Sequence, residues 1–157
     1  MNNRQIAEIL TRDVRARRVF RGVYPRNRLP LLVDTRLPSA YIINTDVASG
    51  PGKHWVAVWF DGRGNAEYFD SFGLPPIHAD IETFLSRHCH GRYRFSQRLI
   101  QDLTSSACGL YVIYFVMMKS RGESLGKLMS RFSPYTLRVN DRNVQRYVNR
   151  IKPVLIG

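Results

Sequence analysis

Leu110, Val112, Ile113, Phe115, Val116, Met117 and Met118 form the longest apolar run of the chain, directly after Cys108. Such a run fits a buried helix whose first turn begins near Cys108, and equally a fully buried strand. Elsewhere the period is plainer. Ile6, Ile9, Leu10 and Val14 fall on one face of a helix over 3–17, and Ile77, Ile81, Phe84 and Leu85 on one face of a helix over 77–87. A weaker helical stretch covers 124–132. Asp141 is placed to cap a helix over 141–152 whose Val144, Tyr147, Val148 and Ile151 face the core.

Short strands are expected over 40–44, 54–60 and 66–70. Asp61-Gly62-Arg63-Gly64-Asn65 joins the last two as an antiparallel hairpin, and Ser49-Gly50-Pro51-Gly52 is a strong turn cluster. Tyr93, Phe95 and Leu99 alternate with Arg94, Ser96 and Arg98, the period of a half-exposed strand with arginines on its wet face. Residues between the first helix and about Pro38 read as a basic, proline-containing connector. The element order is α+β, with no internal repeat.

With 157 residues and 44% apolar content, the chain can bury one sizeable core, so a single domain over 1–157 is expected. The first twenty residues hold no apolar block of the kind a secretory signal needs, and no run approaches the ~20 residues that span a bilayer. A soluble protein without a membrane partner is expected. Cys89 and Cys108 are too few for a disulfide scaffold and neither belongs to a CxxC pair, which fits a reducing compartment. His88-Cys89-His90 does not make a metal site, because adjacent side chains rarely converge on one ion and no further cluster supplies the remaining ligands.

Charge changes the picture more. Lys and Arg number 24 against 12 Asp and Glu, a formal net charge of +12, and arginine dominates. Arg15, Arg17, Arg18 and Arg21, then Arg92, Arg94 and Arg98, then Arg138, Arg142, Arg146 and Arg150 recur along the chain. Guanidinium groups suit bidentate contact with phosphate, so nucleic acid is an expected partner. The plain alternative is the solvated surface of a basic protein.

Candidate chemistry follows from which residues can meet. His54 opens one strand of the hairpin and Asp70 closes the other, so their side chains can be neighbours. An aspartate bonded to one imidazole nitrogen fixes the tautomer and leaves the other nitrogen to take a proton from a thiol. Glu67, three residues from Asp70, should point to the opposite face. Gln101 offers a neutral donor for a developing oxyanion, together with the Cys108 N–H at the helix start. Each residue alone has an ordinary reading: a small core cysteine, a half-exposed histidine, a turn aspartate, a solvated glutamine.

The order of the set, with Gly52-Lys53-His54-Trp55, Tyr68-Phe69-Asp70-Ser71-Phe72-Gly73 and Gln101 placed before Ser106-Ala107-Cys108-Gly109-Leu110, resembles the adenovirus-type cysteine proteases, distant relatives of the SUMO-deconjugating proteases. The resemblance covers Gly52 to about Met118. It implies an adenain-like α+β fold, in which a mainly antiparallel central sheet is packed by helices and the nucleophile sits at the N-terminus of a buried helix. By the same resemblance Cys108 is the nucleophile, His54 the general base, Asp70 its orienting acid and Gln101 the oxyanion donor.

The activity implied is a virion-maturation endopeptidase that cleaves viral precursor capsid and core proteins at glycine-rich sites, in the virion and the host nucleus. It would be a monomer without metal or organic cofactor, stimulated by nucleic acid. Adenoviral members also take a short activating peptide as a disulfide, and Cys89 lies in roughly the corresponding place. Two departures are visible: Asp70 stands where adenoviral members carry Glu, as in the SUMO-deconjugating relatives, and the chain is shorter. An isopeptidase acting on ubiquitin or SUMO-type modifiers would use the same four residues. A non-enzymatic basic nucleic-acid-binding virion protein would use none.

Overall fold

The computed structural model describes residues 1–50 and 54–156, with side chains as far as Lys152; Pro51, Gly52 and Lys53 of the two sequence motifs above lie outside the described residues. In chain order the elements are α1 (Asn3–Arg12), α2 (Ala16–Val19), β1 (Phe20–Pro25), a 3-10 turn (Arg26–Arg28), β2 (Ser39–Asn44), β3 (Trp55–Phe60), β4 (Ala66–Phe69), α3 (Ala79–His88), β5 (Arg94–Phe95), α4 (Cys108–Ser120), α5 (Leu125–Ser130) and α6 (Leu137–Ile156). The apolar run is therefore a helix. From Cys108 to Met117 every residue of α4 is buried, as expected of a helix covered on all sides rather than along one stripe.

The five strands are ordered β1-β2-β3-β4-β5. β2, β3 and β4 pair antiparallel, with Tyr41 opposite Val58 and Val58 opposite Tyr68. Both edges are parallel, Tyr24 lying beside Ile43 and Tyr68 beside Phe95. The sheet is thus mixed, antiparallel only in its middle. Its parallel edges follow from the connections: β1 emerges from what the sequence reads as a connector, and the chain crosses back before β2, while α3 carries it from β4 to β5. β5 is cut to two residues by Gln97, whose φ of 55° leaves the extended region. Arg98 beyond it turns inward and donates to the carbonyls of Met129 and Phe132, so this arginine is not on a wet face.

Helices cover both faces, which explains why β2 is buried at all six positions. On one side Ile42, Ala57 and Trp59 pack with Ile6, Ile9, Leu10, Tyr111, Phe115, Val144 and Val148. On the other, Tyr41, Ile43, Val56, Val58 and Phe60 pack with Ile81, Phe84 and Leu85 of α3. Alternate residues of β2 and β3 thus feed two cores, as the period of two requires. Ile77 is 74% exposed and precedes α3. Among the described residues, no helix is long and apolar enough to cross a membrane.

The first helix is shorter than its apolar spacing predicts, because Asp13 interrupts it. Asp13 takes extended geometry at the end of α1, and its carboxylate accepts hydrogen bonds from the N–H groups of Arg15 (3.1 Å) and Ala16 (2.7 Å), which holds the turn into α2. Val14 is thereby left exposed. The same carboxylate pairs with Arg121 at 2.8 Å, just beyond α4. Burial raises the Asp13 pKa, but Arg121 and the two amides outweigh it and hold the group below its usual 3.8. A carboxyl depressed on folding stabilises above its unfolded pKa and loses that contribution as pH falls through its folded value. Asp13→Asn should cost about 2–3 kcal/mol at pH 7, measured by urea unfolding, and much less at pH 2.

α6 begins a full turn before Asp141, which is therefore not its cap. Ser133 Oγ accepts from the N–H groups of Tyr135 and Thr136, and the Asn140 side chain holds both Ser133 and the Ile100 carbonyl. Asp141 instead accepts from the Tyr111 hydroxyl at 2.7 Å, tying α6 to α4.

Candidate active site

His54 lies immediately before β3 and Asp70 immediately after β4. With Ala57 opposite Phe69, continuing the register sets His54 opposite Phe72 and Asp70 opposite Val56, so the two side chains are diagonal neighbours on one face. His54 Nε2 and Asp70 Oδ1 are 2.8 Å apart. The imidazole stacks on Phe72, ring centroids 4.8 Å apart and planes 18° from parallel. Asp70 Oδ1 also accepts from the Phe72 N–H at 2.9 Å, and Ser96 Oγ closes on the Asp70 backbone at both its N–H and its carbonyl. Glu67, on the other face of β4, is taken by Lys119 of α4 at 2.8 Å.

Cys108 is the first residue of α4 and is 5% exposed. His54 and the backbone of Trp55 and Gly109 act on its thiol, all three favouring the ionised form. Asp70 occupies Nε2, which leaves Nδ1 as the ring nitrogen available to a thiol. Burial pushes the Cys108 pKa up, but the imidazole and the two amides more than reverse this and bring it below the usual thiol value of 9.0. Burial likewise pulls His54 down, and Asp70 and Cys108 together raise it to about 9. The opposite shifts of adjacent groups favour a thiolate–imidazolium pair. Alkylation of Cys108 by iodoacetamide should therefore remain fast well below pH 9 and slow sharply in His54→Ala at the same pH, a difference read by peptide mapping of the adduct.

Gln101 is completely buried. Its Oε1 accepts from Ser71 Oγ at 2.5 Å, while Nε2 donates to the Ser105 carbonyl at 2.9 Å and to Ser105 Oγ at 3.2 Å. A carbonyl can only accept, so the Ser105 contact fixes which end of the amide faces the loop ahead of Cys108. The amide hydrogens are thus directed at Ser105 in this structure.

Cys89 stands apart from this group. It ends α3 in the core on the other side of the sheet, 9% exposed, with its thiol directed at the Gly91 carbonyl (3.2 Å). Beside it, His88 is buried against Phe60 and Phe84, whereas His90 is exposed. Among the described residues no group of three or more His, Cys, Asp or Glu could hold a metal ion.

Sequence reasoning missed three parts of the site. Ser71 orients Gln101, Phe72 supports the imidazole, and Ser96 holds the Asp70 backbone. The first two lie in Ser71-Phe72-Gly73, where the aromatic in register with His54 was the available signal. Ser96 gave none, since its position depends on the irregular backbone at Gln97.

The fold has counterparts among known proteins. The crystal structure of a protease of African swine fever virus aligns with a TM-score of 0.61 at 19% identity, covering 82% of this chain and 60% of that one. The central domain of an uncharacterized Legionella pneumophila protein aligns over 96% of this chain and 98% of its own, with a TM-score of 0.52 and 14% identity. These likenesses establish a shared fold. No protein-family model matches the chain.

In sequence, a cysteine protease of African swine fever virus is 27% identical over 116 residues, covering 68% of this chain and 40% of the relative. A protein from further isolates of that virus, named a SUMO-1 cysteine protease, is 25% identical over the same share. A protein of Acanthamoeba polyphaga mimivirus that carries a thiol protease name is 31% identical over 100 residues, 58% of this chain and 33% of the relative. The chain spans about 40% of the length of the swine fever virus relatives.

Proposed function

We propose that this chain is a cysteine peptidase domain of viral type. Cys108 Sγ, as thiolate, attacks the carbonyl carbon of a peptide bond and forms a tetrahedral oxyanion. Backbone N–H groups at the start of α4 and Gln101 Nε2, once it exchanges Ser105 for substrate, receive that charge. The His54 imidazolium then gives its proton to the departing amine as the C–N bond breaks. In the second half His54, held by Asp70, takes a proton from water, whose oxygen attacks the thioester and releases the acid and the thiol. The observation that carries this reading is His54 held by Asp70 at 2.8 Å, with the His54 imidazole raised and the Cys108 thiol lowered, each by the other.

A processing endopeptidase acting on viral precursor proteins is the leading form of this proposal. An isopeptidase is the second, favoured by the SUMO-1 protease name that some relatives carry. The two are separated by offering the protein glycine-containing precursor peptides and SUMO-1 conjugates side by side, with Cys108→Ala as control. Processing of the precursors alone is the expected result, release of SUMO-1 alone would replace the first form by the second, and turnover of neither would remove both.

We further propose that a polyanion such as nucleic acid docks along α6. Arg138, Arg142, Arg146 and Arg150 recur every fourth position and are exposed, and among the described residues only Arg138 has a carboxylate partner, Asp102. Neutralising phosphates releases counterions, so binding should weaken steeply with salt. Replacing Arg142, Arg146 and Arg150 with Gln should reduce the slope of log affinity against log salt by roughly three, about one for each guanidinium removed. An unchanged slope in fluorescence anisotropy would place nucleic acid elsewhere or nowhere.

A further inference from the structure

A cleft of about 550 Å³ opens beside the Cys108 site, with Trp55 as the shared wall. Trp55 lines the cleft and lies against Gly109, the residue after Cys108, as does Met1 of the same lining, and Trp55 Nε1 donates to Asn3 Oδ1 at 2.7 Å. The cleft therefore adjoins the Cys108 site through these two residues.

The charge of this cleft is one-sided. Its polar lining comes from Asn2, Asn3, Asn44, Arg4 and Arg28, with no carboxylate among the described residues that line it. Asp46, in the same loop as Asn44, turns its carboxylate onto the Val47 N–H at 2.9 Å and lies against Gly50 of the lining without itself lining the cleft. Arg4 and Arg28 are exposed, and among the described residues neither has a carboxylate partner, although eight ion pairs engage charged groups elsewhere.

The helix that carries Arg4 adds to this. A helix N-terminus is electropositive and normally gains from acidic residues in its first turn. α1 has none there, and Arg4 stands in their place. Asn2 and Gln5 satisfy each other reciprocally across the first turn, a neutral arrangement that leaves the positive end uncompensated. Two unpaired guanidinium groups and an uncompensated helix end therefore face one cleft, in a lining otherwise neutral. Such a field favours a carboxylate that arrives with a ligand.

We infer that the cleft beside Trp55 is a substrate subsite selecting acidic side chains, with Arg4 and Arg28 as its specificity-determining residues. The inference rests on the peptidase reading of the Cys108 site and names the class of segment that site takes: an extended peptide with Asp or Glu near the bond to be cut. Arg4 and Arg28 lie outside the Cys108 machinery, so their loss alters which peptides bind and leaves the chemical step intact.

The test uses nine-residue glycine-containing peptides in which one position at a time is Asp, Asn or Lys. Their affinity for Cys108→Ala protein is measured by fluorescence anisotropy, and their cleavage is measured with the wild type. At one or more positions Asp should bind about tenfold tighter than Asn, with Lys weakest. Arg4→Gln combined with Arg28→Gln should erase that difference while leaving affinity for the Asn peptides unchanged. Arg4→Glu combined with Arg28→Glu should invert it toward Lys.

An Asp preference that survives the double Gln variant overturns the inference, as does the absence of any preference. A double variant that changes only the affinity for a single-stranded oligonucleotide overturns it too, assigning the two arginines to nucleic acid. Binding and cleavage separate the two levels. Arg-dependent Asp selectivity without cleavage of any peptide upholds the subsite and removes the peptidase reading, whereas cleavage without selectivity does the reverse.

Discussion

Cys108→Ala should abolish peptide hydrolysis, lowering kcat/KM by at least about 10⁴-fold, while the protein stays folded with an unchanged circular dichroism spectrum. Nothing else near α4 can replace the thiolate: Ser105 lies on the preceding loop, engaged by Gln101, and Ser106 is exposed. The substitution removes little volume, so the effect on stability should be small beside the effect on rate. His54→Ala should come close to it, since the imidazole lowers the thiol pKa and, in the proposed reaction, supplies the proton for the leaving amine.

The pH profile carries the sharper consequence. In the proposed reaction the productive form has Cys108 deprotonated and His54 protonated, so activity should rise with pH as the depressed thiol ionises and fall as His54 loses its proton at about 9. Asp70 raises His54, so in Asp70→Asn the alkaline limb should move to lower pH. A profile that keeps its alkaline limb near 9 in that variant would show that Asp70 does not set the imidazole.

The second large effect is on stability. Gly73 has φ of +74°, and a Cβ built there would stand 2.7 Å from the backbone N of Leu99 and 2.8 Å from that of Arg98. Neither the conformation nor the space admits a side chain, and the atoms in the way are main chain. Gly73→Ala should destabilise by about 3–4 kcal/mol, lowering Tm by roughly 10 °C. The turn after Asp70 is packed directly onto the segment leading to Gln101, whose N–H reaches the Ser71 carbonyl at 3.2 Å. The variant should therefore lose activity beyond its loss of stability, measured well below its Tm. Gly91, with open space around it, should accept Ala with little change.

The hairpin was the most legible part of the fold, because two short apolar stretches joined by a glycine-rich turn specify antiparallel pairing. It was also what brought His54 and Asp70 together, and a short antiparallel register is readable where a long-range contact is not. The expected faces of α3 and α6 recur in the cores, through Ile81, Phe84 and Leu85 and through Val144 and Val148. What the pattern concealed was decided by polar side chains acting on the backbone: Asp13 dividing the first helix, Ser133 and Asn140 starting α6 early, Gln97 ending β5. β1 was hidden for another reason. Phe20-Arg21-Gly22-Val23-Tyr24-Pro25 is a half-buried edge strand with a register shift, so its alternation is broken. In the site, residue identity indicated Gln101 as a donor, but its bond to Ser105 depends on how a loop closes, which no spacing encodes.

The separation of the site between a local hairpin and a distant helix also orders events during synthesis. His54 and Asp70 emerge from the ribosome close together and belong to one hairpin, whose contacts need little loop closure. The thiol emerges later, on a helix whose burial needs α1, α6 and the sheet in place. Until that docking is complete Cys108 lacks the imidazole and the Trp55 backbone that favour its thiolate. A nascent or partly unfolded chain is thus chemically quiet, and reactivity switches on as the last long-range contacts close.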